Sequence, residues 1–106
     1  MMYSIPLAPA KLLVMSPKDE NSVALSGGSG TVAWFNDLTG VSLGAAIPIT
    51  WNATLLRYES LIPDSSVMAR VVGDLWRGDV LIDATTPTAK RYRDIVRARV
   101  RVPSSL

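Results

Sequence analysis

Arg91-Tyr92-Arg93-Asp94-Ile95-Val96-Arg97-Ala98-Arg99-Val100-Arg101-Val102 is the stretch on which the fold turns. Arginine occupies 91, 93, 97, 99 and 101, while Tyr92, Val96, Ala98, Val100 and Val102 take even positions. A strand sends successive side chains to opposite faces, so this period of two predicts one charged face and one apolar face. Only Asp94 and Ile95 fall out of phase, and a β-bulge between them accounts for the inversion. The rival is a helix from Thr86 through Asp94, because Thr86-Pro87 has the form of an N-cap followed by proline at the first helical position. A helix turns by ~100° per residue and scatters the arginines around its axis, whereas a strand gathers them on one face.

Upstream of this strand, Val80 to Ala84 and Val67 to Val72 read as two more, joined through Gly73-Asp74 and a turn at Trp76-Arg77-Gly78-Asp79. The turn cluster Pro63-Asp64-Ser65-Ser66 precedes them. From Ala45 to Tyr58, Ile47, Ile49, Trp51, Ala53 and Leu55 alternate with polar residues, Pro48 marks a sheet edge, and Leu56 breaks the pattern. Thr31 to Phe35 is β-branched and aromatic and stops at the turn formers Asn36-Asp37. Short strands with frequent Pro and Gly and no long helix predict an all-β fold, an antiparallel β-sandwich or barrel that includes a partial or compact jelly roll. Residues 31–106 form this β-rich domain. Residues 1–30 read as an extended N-terminal arm broken by Pro6, Pro9 and Pro17, ending in the loop or linker Ser26-Gly27-Gly28-Ser29-Gly30.

Composition narrows the chemistry. At 106 residues and 48% hydrophobic content, the chain can build one core. It contains no Cys and no His, so a disulfide framework, the usual zinc ligands, and Ser-His-Asp or Cys-His catalysis are all missing. The carboxylates Asp37, Glu59, Asp64, Asp74, Asp79, Asp83 and Asp94 are scattered over turns and strand ends without diagnostic spacing. The expectation is a protein that is not an enzyme, with no metal and no cofactor. No apolar run approaches the ~20 residues of a membrane helix, and Met1 to Ala10 lacks the basic residues that open a signal peptide, which points to an intracellular protein without membrane contact.

Net charge is only +2, yet the local charge at Arg91, Arg93, Arg97, Arg99 and Arg101 is strong. Guanidinium forks match phosphate oxygens, so this face reads either as a subunit or phosphate contact or as a solvated face that discourages edge pairing. Tyr92 falls on the opposite face, which leaves the arginines without a stacking aromatic for single-stranded nucleic acid. Trp34, Trp51 and Trp76 each lie beside apolar strand-like sequence and read as structural anchors of a core or subunit contact. Arg77-Gly78-Asp79 matches an integrin-recognition tripeptide, and Asn52-Ala53-Thr54 matches a glycosylation pattern; both are short, and the first reads more simply as a turn.

The segments Val67-Met68-Ala69-Arg70-Val71-Val72, Leu75-Trp76-Arg77-Gly78-Asp79-Val80-Leu81-Ile82, Ala89-Lys90-Arg91 and Val96 to Val102 together resemble the early strands of picornavirus-like jelly-roll capsid proteins, most of all the small coat proteins of comovirus-type plant viruses. That resemblance covers about a third of the chain. It implies a viral capsid subunit or a segment of one, present in virions and in host cytoplasm during assembly. Such a subunit self-associates into a homo- or hetero-oligomeric shell, with RNA contact open to its arginines. A small nucleic-acid-binding barrel is the alternative. An eight-stranded jelly roll normally needs more chain than 106 residues, so the resemblance also implies a compact or incomplete version.

Overall fold

The computed structural model describes residues 2–101; Val102, the last residue of the quoted stretch, lies outside the described residues. Seven strands follow in order: β1 (Met2–Pro6), β2 (Lys11–Met15), β3 (Ser29–Asn36), β4 (Ile47–Asn52), β5 (Arg57–Ile62), β6 (Leu75–Ala84) and β7 (Lys90–Arg101). They form one sheet in the order β1-β7-β6-β3-β4-β5-β2. The all-β class is as expected. Five pairings are antiparallel, but β1 runs parallel to β7, which a purely antiparallel plan omits.

The two edge strands, β1 and β2, are joined by only residues 7–10, so the sheet must curl until its edges face each other. Tyr3 Oη donates to the Val14 carbonyl across that gap at 3.3 Å, and the result is a barrel closed except for one seam. A jelly roll places eight strands in two sheets; here seven strands share one.

Residues 2–30 are part of this barrel rather than an arm outside it. Ile5, Leu13 and Leu25 are buried in the common core. Pro6 is tolerated because β1 is an edge strand and ends there. Nor is the Gly/Ser run a linker. Gly28 has φ +71°, and an added Cβ would lie 1.9 Å from the Asp83 carbonyl oxygen, so this turn requires a residue without a side chain.

Three further expectations need correction. The strand expected from Ala45 to a break at Leu56 ends earlier, at Asn52, in a hairpin: Asn52 Oδ1 accepts from the Thr54 and Leu55 N–H groups, and Leu56 turns with φ 54°, delivering the chain into β5. Val67 to Val72 is a loop. Trp76 to Asp79 is not a turn but the middle of β6, and Gly78 is there for space. An added Cβ would meet Trp34 Cζ3 at 2.8 Å and Val96 Cγ2 at 2.9 Å, because the Trp34 ring lies across it.

Trp34 and Trp76 fill the centre of the barrel with ring centroids 5.9 Å apart, and Trp51 packs partly buried on Tyr58 at 4.8 Å. Full burial of such rings contributes roughly 1.5–3 kcal/mol or more each, offset in part because the indole N–H groups of Trp34 and Trp76 are buried without a hydrogen-bond partner among the described residues. No helix occurs among the described residues, so Thr86-Pro87 opens a loop and not a helix.

Candidate binding surfaces: an arginine face and an apolar crown

β7 behaves as its alternation requires. Ala98 and Val100 are buried, Tyr92 and Val96 are partly buried, and Arg91, Arg93, Arg97, Arg99 and Arg101 all project from the outer face. The bulge is absent, however. The β6–β7 register runs without a break from Leu75↔Arg99 to Ala84↔Lys90. Asp94 therefore stays on the inward phase, opposite Val80, and Ile95 is left outward and exposed.

The outer arginines are unequally neutralised. Arg91 Nε meets Asp83 Oδ1 at 2.9 Å, and this hydrogen bond raises the Arg91 pKa. Arg97 reaches Asp37 at 3.2 Å. Arg77 stands opposite Arg97 on β6, a pairing that like charge disfavours. The conflict is relieved by turning each away: Arg77 lies over the Phe35 ring at 4.9 Å and pairs with Asp79 at 3.3 Å. Arg93, Arg99 and Arg101 have no carboxylate within salt-bridge distance among the described residues. Since exposed pairs contribute only ~0–1 kcal/mol each, this face is a positive surface more than a stabilising network. Arg77-Gly78-Asp79 lies within it as strand, not as the tip of a loop.

A second surface escaped the reading of the sequence. The β3–β4 loop (37–46) and the β5–β6 loop (63–74) emerge at the same end of the barrel, and the Asp37 N–H of the first donates to the Leu75 carbonyl at the start of β6. Their tips hold Leu38 at 82% exposure, Val67 at 75%, Val71 at 65% and Val41 at 62%. These are not slack loops. Asn36 Oδ1 accepts from the Leu38 and Thr39 N–H groups, which turns Leu38 outward. The Asp64 carbonyl accepts from the Val67 and Met68 N–H groups, so Met68 is driven into the core and Val67 away from it. The Ser66 hydroxyl, its backbone N–H and the Val67 N–H hold the Asp64 carboxyl below its ordinary range.

Beneath the crown, Arg70 is only 9% exposed. Its guanidinium donates to the carbonyls of Met68, Pro6, Pro9 and Pro63, and stands 5.8 Å from the Trp76 ring. Burial lowers its pKa, against a weaker opposite effect of Asp64. A valine-rich segment with one arginine looks like an amphipathic strand; only the long-range carbonyls identify the residue as a clasp.

The carboxylates do not converge. Asp37, Asp79 and Asp83 bind arginines, Glu59 is held below its usual range chiefly by Arg57 at 2.7 Å, and Asp64 caps a turn. Among the described residues no group of three acidic, His or Cys side chains is placed to hold a metal ion. No protein-family model matches the chain, and no curated protein matches it.

Proposed function

We propose that the chain is a structural subunit of a larger protein particle, used as a viral coat or shell protein is used, with assembly rather than chemistry as its function. The observation that carries this reading is the crown: four large aliphatic side chains held outward by ordered turns at one end of the barrel. Several large aliphatic side chains exposed at one end of a barrel are costly to leave in water and favour a surface that meets another protein. The resemblance to small coat proteins supports the same use, with a seven-stranded barrel standing where a fuller jelly roll would stand. Self-association through the crown is measured by light scattering and sedimentation at micromolar concentration. The parent chain forms large particles, and the Leu38→Asp, Val67→Asp double variant remains small and folded. A parent chain that stays monomeric overturns the proposal.

A second reading rests on Arg93, Arg99 and Arg101, whose charges are not taken up by carboxylates among the described residues. They favour contact with nucleic-acid phosphates, for which log K falls with log salt by about 0.7 per phosphate on single strands. Replacing all three by alanine lowers that slope by about 2 for an RNA probe. An unchanged slope removes this reading.

A further inference from the structure

The seam has an interior of its own. β1 reaches only Arg97 to Arg101 of β7, so Lys90 to Val96 pairs with β6 on one side and with no strand on the other among the described residues. β2 faces it with a second free edge. The Tyr3 hydroxyl on the Val14 carbonyl fixes the phase of that edge. The N–H and C=O of one strand residue point to the same side, so Leu12 and Val14 turn theirs toward the seam. Between the edges lies a cavity of about 440 Å³, walled by Met15, Val80, Val96 and the rings of Tyr3 and Tyr92.

Asp94 is the acid that the unbroken register leaves on this inner side. Its carboxylate is fixed by the Tyr92 hydroxyl at 3.0 Å and the Ile95 N–H at 2.8 Å. No cation lies within salt-bridge distance of it among the described residues. Its charge is felt across the cavity, since after burial it is a further cause of the raised pKa of both Tyr92 and Tyr3. The cavity thus joins aromatic and aliphatic walls to one oriented anion beside an unpaired strand edge.

We infer that the seam is a β-augmentation site, which takes an extended segment of a partner protein bearing lysine or arginine on its inward phase. Main-chain hydrogen bonds to the free edge of Lys90–Val96, apart from the Ile95 N–H already held by Asp94, continue the sheet, and alternate side chains enter the cavity. The residue placed opposite Asp94 stands ~4.5–5.5 Å away between Cβ atoms, where an opposite charge is favoured. Its aliphatic stem packs on Val80, Val96 and Met15 while its charged head meets the carboxylate and the tyrosine rings. An apolar strand would cover Asp94 without a counter-charge, and a phosphate would be repelled by it, so charge selects a basic segment. On the outer phase, the residue beside Arg93 is acidic by the same rule. The site lies on the side wall, apart from the crown, and goes beyond the assembly reading.

The probes are the blocked peptides Thr-Val-Glu-Lys-Val-Val-Thr and its reverse, which offer the parallel and antiparallel directions. Binding is followed by calorimetry and by amide hydrogen exchange of the intact chain. One probe slows exchange of the amides between Arg91 and Val96, and changing its lysine to methionine weakens binding by up to roughly fivefold. Asp94→Asn abolishes the preference for lysine while leaving the fold intact. Unchanged exchange with both probes overturns the inference, as does a lysine preference that survives in Asp94→Asn. Should that variant fail to fold, equal binding of the lysine and methionine probes to the parent chain is equally decisive against it.

Discussion

Arg70→Met is the sharpest test of how the crown end is held, because methionine keeps much of the aliphatic stem and removes only the guanidinium. Four carbonyls, those of Pro6, Pro9, Pro63 and Met68, then lose a charged donor. Hydrogen bonds to charged groups contribute ~1.5–3 kcal/mol each, so simple addition gives ~6–12 kcal/mol. That sum is too large, since taking a guanidinium out of water costs several kcal/mol, a cost visible in the lowered Arg70 pKa. The net expectation is a loss of ~3–5 kcal/mol, the size of leaving two or three of the four carbonyls unsatisfied at ~1–3 kcal/mol each. A domain of this size has a total of ~5–15 kcal/mol, so the variant is marginal. At ~4–8 °C per kcal/mol, its Tm falls by at least about 12 °C. Urea unfolding followed by tryptophan fluorescence and far-ultraviolet dichroism measures the change, with an unaltered slope against urea. Arg70→Lys falls between parent and Met, because a single ammonium cannot span all four acceptors. A Met variant within ~1 kcal/mol of the parent refutes the clasp, for it would mean that the desolvation cost already cancels the bonds.

Two other outcomes follow from the core and the seam. Gly78→Ala loses ~1–3 kcal/mol in the same unfolding assay, because the new methyl group collides with Trp34 and Val96, and Trp34→Phe alongside it recovers part of the loss. In alkaline titration followed by ultraviolet absorbance, none of the three tyrosines ionises at the ordinary value near 10: burial raises Tyr3 and Tyr58, and burial followed by Asp94 pushes Tyr92 up to about 12. Raised values contribute stability that is complete below the unfolded pKa of ~10 and is lost as pH climbs through the folded values, so the barrel weakens at high pH, and Asp94→Asn lowers the Tyr92 midpoint.

How far the sequence could be read depends on whether local pattern or distant partners decided each element. β7 and β3 were legible, since β7 alternates at all but Asp94 and Ile95, and β3 is β-branched and aromatic and stops where Asn36 begins a turn. β5 was not, because its phase is inverted in hydropathy: Ser60 is buried while Leu61 is exposed. β1 and β2 are short, edge-bound and interrupted by proline, and they become strands only by pairing with β7 and β5 far along the chain. The Val67–Val72 segment has strand-like composition but is captured as a loop by Arg70 and the Asp64 turn. The arginine face was visible as charge, and its partial neutralisation by Asp37, Asp79 and Asp83 was not, since those contacts depend on register and on a neighbouring loop. Asp94 was noticed as an irregularity, but a bulge was the wrong remedy; a continuous register puts the irregularity to use at the seam. Breaks in an otherwise consistent pattern are where functional residues concentrate.

The placement of the crown also constrains how a particle could grow. Crown against crown is an isologous contact and closes at a dimer, so a shell requires the crown to meet a different surface of its neighbour. Leu12 and Leu61, paired across β2 and β5 and both exposed on the side wall, supply an apolar second surface of the kind the crown requires. A heterologous contact of this kind has a measurable signature. A Leu38→Asp, Val67→Asp subunit still presents its side wall, so it accepts a neighbour's crown but cannot offer its own. Added to the parent chain at a minor fraction, it caps growing assemblies and shifts their sedimentation to smaller species out of proportion to its amount. If the contact were crown to crown, the same additive would be inert, leaving parent dimers unchanged and itself monomeric. Sedimentation velocity of the mixtures therefore separates a closing contact from a propagating one, and only the propagating contact is compatible with a shell.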